Sequence, residues 1–411
     1  MRLRAVALLL CALAAGVQAE PDELRLGKAQ GYPVGDARSW FRDTFRIGSW
    51  SAMDQVQGLR VRKVAPAAQP LQLPAMASEP ELRYRYRNLT YTLDNYLERR
   101  RVTGVLVLKD GQIVAERYRY GRTPEARFLS FSMAKSITSL LVGIAQARGR
   151  IASLDDPAEN YAIELAGTPY GLTTIRQLLR MSSGLAFSER YDGADDVARL
   201  SRGFAGAPGG TLAVLRSVAE RHSPAGEKFV YASAETAVLG RVLRGATGRD
   251  LAQLTTEWLW QPMGAEREAF WVVGSAGEEG AWGYFNASLR DWARLGLLLA
   301  RDGRVGDAQV VPREYLLEAT DAQRQPRAFQ PREATSYFGY GYQFWLLPLS
   351  ERTFALQGVY GQAVYVQPAT GIVMVHIAAW ENPNGREDPQ PGLERGALWL
   401  GVLQSLGGRT D

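Results

Sequence analysis

The pattern of hydrophobic and polar positions predicts strands near both ends of the main folded region. Two strand-like runs over 104–118 flank Asp110-Gly111, a dipeptide typical of a tight hairpin turn. The other strand patterns lie at 340–347, 354–368 and 371–380. Because strands must pair and bury a face, the two groups of runs predict one antiparallel sheet built from the two ends of this region.

Helical periodicity fills the region between these strands. After Met133, apolar residues at 137, 140, 141 and 144 predict one buried helical face that ends near Gly149. Leu89, Leu93 and Leu97 are four residues apart and predict a helix within 88–101. Further helical patterns lie at 173–181, 235–245, 289–301 and 393–406.

These elements predict an α/β (α+β) domain with an inserted helical region. The segment 20–81 includes a Pro/Ala/Gln-rich piece and is interpreted as an N-terminal arm or linker. The folded domain is predicted over 82–411. Its α/β part comprises 82–150 and 281–411, and its mainly helical part comprises 151–280.

The first nineteen residues have the pattern of a secretory signal peptide. A basic MRLR precedes the apolar AVALLLCALAAGV, and Val17-Gln18-Ala19 resembles a cleavage site before Glu20. The alternative is a membrane anchor, but the apolar run is short for a bilayer span. A lipoprotein needs a small residue before its cysteine, and Leu10 precedes Cys11. We therefore expect an exported protein without a stable membrane anchor, periplasmic as first choice and secreted as second.

The composition excludes several kinds of site and partner. Hydrophobic residues make up 46% of the chain, and charged residues 22%, which suits a globular core. Cys11 is the only cysteine, so a mature chain would have no thiol nucleophile, disulfide or cysteine zinc site. The net charge of +5 falls to +3 if Arg2 and Arg4 leave with the signal peptide, and the basic residues form no coherent stripe. A nucleic-acid partner is therefore not expected.

The stretch SFSMAKSITSLL, residues 130–141, places Ser132 three positions before Lys135, one of only five lysines. On a helix these positions share a face, so the hydroxyl and the amine can meet. A serine needs a base to become a nucleophile, and burial lowers the pKa of a lysine towards that role. The alternative is an ordinary helix start with a capping serine and a surface lysine.

Other residues favour the active-site interpretation. The chain has two histidines, and His376 lies in an apolar strand pattern, so a Ser-His-Asp site has little support. Tyr231 and Ser233 are two apart in FVYASAET and point the same way in extended chain. Glycines 358 and 361 mark a place where another group approaches a strand closely.

Taken together and in this order, SFSMAKS, MSSGL, FVYASAET, LRDWARLG and QGVYGQ resemble motifs of the serine β-lactamase and penicillin-binding-protein superfamily. The resemblance is to its class C β-lactamase-related branch, which includes nylon-oligomer hydrolases and esterases. It covers about 82–406 and implies a β-lactamase-like fold.

The resemblance implies a Ser-Lys-Tyr hydrolase without metal or cofactor. Ser132 would be the acylated nucleophile, Lys135 its base, and Tyr231 the group that protonates the leaving group. The backbone N–H groups of Ser132 and Val359 would form the oxyanion hole. Residues expected at the substrate pocket are Ser233, Tyr191, Asn286, Gly358 and Gln362.

Two departures from the family pattern bear on the substrate. Ser233 stands at the asparagine of the Y-x-N motif, and Leu356-Gln357-Gly358 replaces K-T-G, which removes a lysine that helps hold a β-lactam carboxylate. The leading hypothesis is hydrolysis of a small amide or ester. The alternatives are a peptidoglycan-directed peptidase or β-lactamase at the same site, and a non-catalytic binding protein. The natural substrate and oligomeric state stay open.

Overall fold

A computed structural model describes residues 22–411. The predicted signal peptide and Cys11 lie outside these residues. Cleavage of the signal peptide and the absence of a lipid on Cys11 therefore stay predictions. Within the described range, no helix combines the length and the apolar character needed to cross a bilayer.

The elements are numbered in chain order. The strands are β1 (Arg60–Val64), β2 (Arg83–Tyr86), β3 (Leu89–Thr92), β4 (Val102–Lys109), β5 (Gln112–Tyr118), β6 (Phe128–Leu129), β7 (Ala269–Val273), β8 (Phe285–Ala287), β9 (Arg304–Val305), β10 (Ala308–Gln309), β11 (Gly339–Tyr340), β12 (Trp345–Leu346), β13 (Phe354–Gly358), β14 (Gln362–Gln367) and β15 (Ile372–Ala378). The helices are α1 (Asp43–Ser49), α2 (Leu93–Arg99), α3 (Ala134–Ala147), α4 (Ile175–Leu179), α5 (Asp196–Ala205), α6 (Gly210–Ser217), α7 (Ser233–Thr247), α8 (Leu251–Thr255), α9 (Leu289–Ala300), α10 (Arg313–Thr320) and α11 (Gln390–Ser405).

A seven-stranded antiparallel sheet forms the centre of the fold, in the order β11-β12-β13-β14-β15-β4-β5. Strand β15 pairs with β4, with Ile372 opposite Lys109, so the two ends of the domain meet inside one sheet. The β4–β5 turn has positive φ at both Asp110 (53°) and Gly111 (88°), as a type I′ hairpin requires. The predicted fold class is confirmed.

Helices cover both faces of this sheet. On one face, Leu398, Trp399 and Val402 of α11 join a core with the inward residues of β4 and β14. On the other face, α9 packs close enough that a Cβ at Gly296 would lie 2.4 Å from a Val373 methyl. Beyond α9, the region from α4 to α8 adds further helices to the larger core. The catalytic candidates lie where the helical region meets β13.

The segment predicted as an N-terminal arm is part of the folded body in its described portion, which corrects that interpretation. Strand β1 pairs antiparallel with β7, and a second sheet runs β1-β7-β8-β6. Ile47, Trp50 and Met53 are each at most 5% exposed and belong to the larger core. No observation tests the predicted domain boundaries.

Helix α3 is buried all round rather than along one face. Every residue from Ala134 to Ala145 is buried. The side opposite the apolar stripe carries small polar residues, and their hydroxyls donate to backbone carbonyls: Ser136 to Gln343 (2.6 Å) and Thr138 to Ala281 (2.9 Å). These bonds satisfy the polar groups that burial would otherwise leave unpaired.

Two predicted elements differ in the structure. Leu89 lies in β3 and is 59% exposed. The helix α2 begins only after Thr92, which ends the strand and caps the helix through a reciprocal pair of hydrogen bonds with Asn95. The four-residue spacing of the leucines was therefore misleading. The run 340–347 forms two short strands, since Gln343 takes a left-handed conformation (φ 65°) between them.

Candidate active site

Ser132 lies in a 3-10 turn, Phe131–Met133, that leads directly into α3. The Ser130 hydroxyl accepts from the Phe285 N–H (3.2 Å) and donates to the Phe131 carbonyl (2.8 Å), which ties the turn to β8. Phe131 has a positive φ of 43°, a strained conformation for a bulky residue. The turn holds Ser132 at the N-terminal end of α3, where the helix dipole favours negative charge.

Lys135 is buried directly behind the serine. Its Nζ lies 3.0 Å from Ser132 Oγ and donates to the Trp282 carbonyl at 2.7 Å. Burial lowers the pKa of Lys135 to about 8, although the negative charge of Glu189 opposes the shift. About one tenth of the amine is therefore neutral at pH 7, and this fraction rises with pH, as a general base needs.

Tyr231 completes the cluster. Its side chain hydrogen-bonds that of Ser132, and Lys135 Nζ lies 5.1 Å from the centre of its ring. The ring stacks on Trp345 at 5.6 Å and meets Tyr340 edge-on at 6.1 Å, which fixes its orientation. Burial, reinforced by Glu189, raises the pKa of Tyr231 well above its usual value. The phenol is therefore neutral and retains its proton at neutral pH.

The end of β13 touches the turn that carries Ser132. A Cβ added at Gly358 would lie 2.5 Å from the Ser130 carbonyl oxygen and 3.1 Å from Phe131 Cβ. Only glycine allows this approach, which brings the backbone of Val359 next to the nucleophile. Ser132 and Val359 line the same cavities. Two backbone N–H groups at such a place can stabilise an oxyanion.

Ser132 lies between two cavities. The aromatic chamber has a volume of about 420 Å³, and the basic chamber one of about 340 Å³. Both are bordered by Ser132, Glu189, Tyr191 and Val359. The aromatic chamber is named for its walls of Trp40, Phe41, Phe131, Trp282, Tyr284 and Tyr360. The basic chamber contains Tyr231, Trp345, Gln357, Arg386 and Arg395.

Residues 89–398 match the family model described as Beta-lactamase. The chain belongs to this β-lactamase family. It is 29% identical over 347 residues to a 6-aminohexanoate-dimer hydrolase of Paenarthrobacter ureafaciens, covering 81% of this chain and 86% of the relative.

Solved structures agree with the fold of this β-lactamase family member. A Bacillus anthracis protein, provisionally named a 6-aminohexanoate-dimer hydrolase, matches with a TM-score of 0.80 at 22% identity and covers 91% of this chain and 99% of its own. EstCE1, described as a hydrolase with promiscuous acyltransferase activity, matches with a TM-score of 0.60 at 18% identity and covers 74% and 96%. The chain is thus a β-lactamase-related hydrolase.

Glu189 is a feature of this β-lactamase-related site that the sequence analysis missed. Its carboxylate accepts from the Ser233 N–H (2.6 Å), the Ser233 hydroxyl (2.8 Å) and the Tyr191 hydroxyl (2.6 Å). Ser233 and Tyr191 border the same cavity as Ser132, and this acid holds them together. Its position in FSERYDG, next to Tyr191, was the available signal, but an acid in a loop is ordinarily exposed.

Two predicted pocket residues are not in either chamber. Asn286 is fully buried in β8, opposite Leu129 and Phe270, and its amide donates weakly to the Tyr284 carbonyl at 3.4 Å. It is enclosed within the four-stranded sheet, where all three residues of β8 are buried. The prediction that Asn286 lies at the pocket rim is wrong.

Gln362 lies behind the site rather than in it. Its side-chain amide donates to the carbonyls of Val359 (3.2 Å) and Ala378 (2.8 Å), so it braces the loop after Gly358. His376 supports the same loop through the Gly361 carbonyl (2.6 Å). His376 is fully buried in β15, and this burial lowers its pKa to about 3, so the imidazole is neutral.

Proposed function

We propose that the chain is an exported serine hydrolase that cleaves a small amide or ester through a covalent acyl-enzyme. One observation carries this proposal: Ser132 Oγ lies 3.0 Å from the Nζ of a fully enclosed lysine whose pKa is about 8. A surface lysine beside a capping serine has neither property. The named activities of its relatives support the same reaction class.

Acylation begins with neutral Lys135. Its Nζ accepts the Ser132 proton as Oγ attacks the substrate carbonyl, and the new C–O bond places a negative charge on the carbonyl oxygen. The N–H groups of Ser132 and Val359 stabilise that oxyanion, together with the positive end of α3. Removing one such donor typically costs about 10²–10³ in rate.

Collapse of the intermediate needs a proton on the leaving nitrogen or oxygen. Tyr231 supplies it, since its phenol is protonated and within reach of Ser132. The proton that Lys135 took restores the Tyr231 hydroxyl. A water molecule then attacks the ester carbonyl of the acyl-enzyme, and the same groups return a proton to Ser132 Oγ.

The peptidoglycan-directed and β-lactamase alternatives use the same centre. Leu356, at the position of the family's third-motif lysine, is fully buried in β13 and offers no charge to a substrate carboxylate. This favours an amide or ester substrate over a β-lactam. A folded protein that binds penicillin covalently would revive the alternative.

Export to the periplasm is also part of the proposal. It rests on the basic, apolar and small-residue pattern of residues 1–19. Expression of the full chain in a Gram-negative host and intact-mass analysis of the periplasmic fraction should give a chain that begins at Glu20. A chain retained in the cytoplasm at full length would contradict export without affecting the chemistry.

The central test is intact-mass spectrometry during turnover of a short-chain p-nitrophenyl ester. The wild-type protein should show an added acyl mass and steady nitrophenol release. Ser132→Ala and Lys135→Ala should lose both. The matched control Lys63→Ala removes a lysine that is 73% exposed in β1 and should retain both. If a folded wild-type protein gave no acyl adduct and no nitrophenol release, that result would favour the non-catalytic binding protein.

A further inference from the structure

The proposed mechanism uses the aromatic chamber for the acyl group. Tyr231 protonates the leaving group and borders the basic chamber, whereas the walls of the aromatic chamber come from other residues. The leaving group therefore occupies the basic chamber as the scissile bond breaks, and the acyl group attached to Ser132 extends into the aromatic chamber. This division leaves a third, larger cavity without a role.

The third cavity lies next to the aromatic chamber, and we call it the distal chamber. Its volume of about 580 Å³ is within the usual range of small-molecule sites. Neither Ser132 nor Tyr231 is among its lining residues. The residues that border both the distal and the aromatic chamber are Trp40, Ser201, Arg202 and Tyr284. The distal chamber is therefore close to the reaction centre but lies behind a wall of side chains.

The floor of the distal chamber is apolar. Met53, Phe204 and Val272 line it, and each is at most 5% exposed. The Phe204 ring stacks on Tyr284 at 4.8 Å, and the Tyr284 side chain hydrogen-bonds that of Ser201, which holds the shared wall in place. Such a floor suits an alkyl chain, because burying the chain there removes apolar surface from water.

Two exposed arginines border the distal chamber without an acidic partner. Arg60 of β1 donates from Nη2 to the carbonyls of Gly274 (2.5 Å) and Ser275 (3.1 Å). Arg202 of α5 donates from Nη1 to the Gly193 carbonyl (3.1 Å). Among the described residues, neither arginine forms an ion pair, and none of those that line this chamber is acidic.

The two arginines belong to segments that are bonded to each other. The Ser275 N–H donates to the Phe204 carbonyl at 2.9 Å, and Arg202 lies in the same last turn of α5. The backbone bonds use one nitrogen of each guanidinium, which leaves further N–H donors at this side of the chamber. A guanidinium matches the planar carboxylate group through paired hydrogen bonds.

We propose that the distal chamber binds an alkyl carboxylate, with the alkyl chain on its apolar floor and the carboxylate at Arg60 and Arg202. This site goes beyond the proposed hydrolase function, since its ligand takes no part in bond cleavage. Part of its lining precedes residue 89, where the family match begins: Ala37, Trp40, Met53, Gly58, Leu59 and Arg60. The site therefore depends on the N-terminal segment of this chain as well as on the family region.

Calorimetric titration of the wild-type protein with octanoate and octanamide separates the effect of the charge from that of the chain. Octanoate should bind about tenfold or more tightly than octanamide, as expected of a charge-assisted contact. Acetate, which lacks the chain, should bind at least about tenfold more weakly than octanoate. The titration needs no turnover, so its result does not depend on the proposed hydrolase function.

Two variants test the arginines. Arg60→Gln and Arg202→Gln should each weaken octanoate binding about fivefold and leave octanamide binding unchanged. Both side chains are exposed, so the variants should fold as the wild-type protein does. Arg327→Gln is the charge-matched control, because this side chain is 86% exposed and borders none of the three chambers. It should bind octanoate as the wild-type protein does.

Kinetics and labelling locate the bound carboxylate. Protein whose Ser132 has been phosphorylated by diethyl p-nitrophenyl phosphate should bind octanoate as tightly as unlabelled protein. Saturating octanoate should leave a finite kcat/KM for p-nitrophenyl butanoate, because the short ester and octanoate occupy separate chambers. Without octanoate, Arg60→Gln should keep the wild-type kcat/KM for this ester, since Arg60 borders only the distal chamber of the three.

The contrary outcomes are distinct. Equal affinities for octanoate and octanamide would overturn the anion site. A preference for octanoate that is unchanged in either arginine variant would overturn the assignment to that arginine. Purely competitive inhibition, with loss of octanoate binding after Ser132 is labelled, would place the ligand in the aromatic chamber and overturn the distal site. If no ester is turned over and Ser132 is not labelled, the hydrolase proposal fails, and the titrations still decide the carboxylate site.

Discussion

The aromatic and basic chambers share Ser132, but each also uses residues from a different end of the chain. Trp40 and Phe41 of the aromatic chamber precede β1, whereas Arg386 of the basic chamber lies just before α11 and Arg395 lies within it. The nucleophile and its base, in contrast, come from four consecutive residues. The chemistry of this site is therefore local in sequence, and its selectivity depends on distant segments that the fold brings together.

A change at Gly358 should damage both chambers equally, because it acts on the centre they share. In Gly358→Ala the new Cβ would lie 2.5 Å from the Ser130 carbonyl, so β13 must move and carry Val359 away from Ser132. We expect kcat/KM to fall by about 10²-fold for every ester, the usual effect of losing one oxyanion donor.

Gly396→Ala in α11 is the matched control, since a Cβ there meets nothing within 4 Å. It should keep wild-type kcat/KM. A Gly358→Ala loss confined to one ester series would show that the residue shapes a single chamber instead of the oxyanion site.

Trp40→Ala should affect the aromatic chamber alone. Trp40 and Tyr284 also border a neighbouring cavity of about 580 Å³, so removing the indole would join the two spaces. The acyl length at which kcat/KM peaks should move to longer chains, with about a tenfold change in the dodecanoyl-to-butanoyl ratio. A p-nitrophenyl ester series measures this ratio.

Phe338→Ala removes an aromatic ring from the basic chamber and should leave the preferred acyl length where it was. If Trp40→Ala and Phe338→Ala move the acyl length at which kcat/KM peaks by the same amount, the two chambers do not hold separate parts of the substrate.

The smallest expected effect concerns Glu189, which borders both chambers. Activity should rise with pH as Lys135 loses its proton, with a midpoint of about 8. The negative charge of Glu189 favours protonated Lys135, so Glu189→Gln should lower that pKa further and move the rising limb to lower pH. The exposed Glu227→Gln should leave the limb in place. If the rising part of the activity–pH profile moved to higher pH in Glu189→Gln, the proposed effect of the Glu189 charge on Lys135 would be contradicted.

The centre was predictable because its parts are close in sequence or follow simple periodicity. Ser132 and Lys135 are one helical turn apart, and Tyr231 and Ser233 share a side of extended chain. Asn286 was placed at the pocket through the family resemblance, and the short FNAS stretch does not reveal that all of β8 is buried. Sequence patterns likewise gave no sign that Trp40 borders the site, since its segment reads as polar and irregular.

Glu189 and Arg395 show a second limit. Each is defined by what surrounds it: Ser233 and Tyr191 donate to the Glu189 carboxylate, and Arg395 donates to the neutral Gln357 side chain. Such surroundings arise from contacts across the fold, and the local sequence around a charged residue ordinarily predicts an exposed side chain.

The placement of Trp40 and Phe41 has a consequence for how such a hydrolase can acquire new substrates. The family match begins at residue 89, so these two side chains lie outside the part of the chain that identifies the family. The segment is nevertheless anchored by β1 on β7, away from Ser132 and Lys135. Insertions, deletions or exchanges around residue 40 can therefore retune the acyl preference while the machinery that breaks the bond is inherited unchanged.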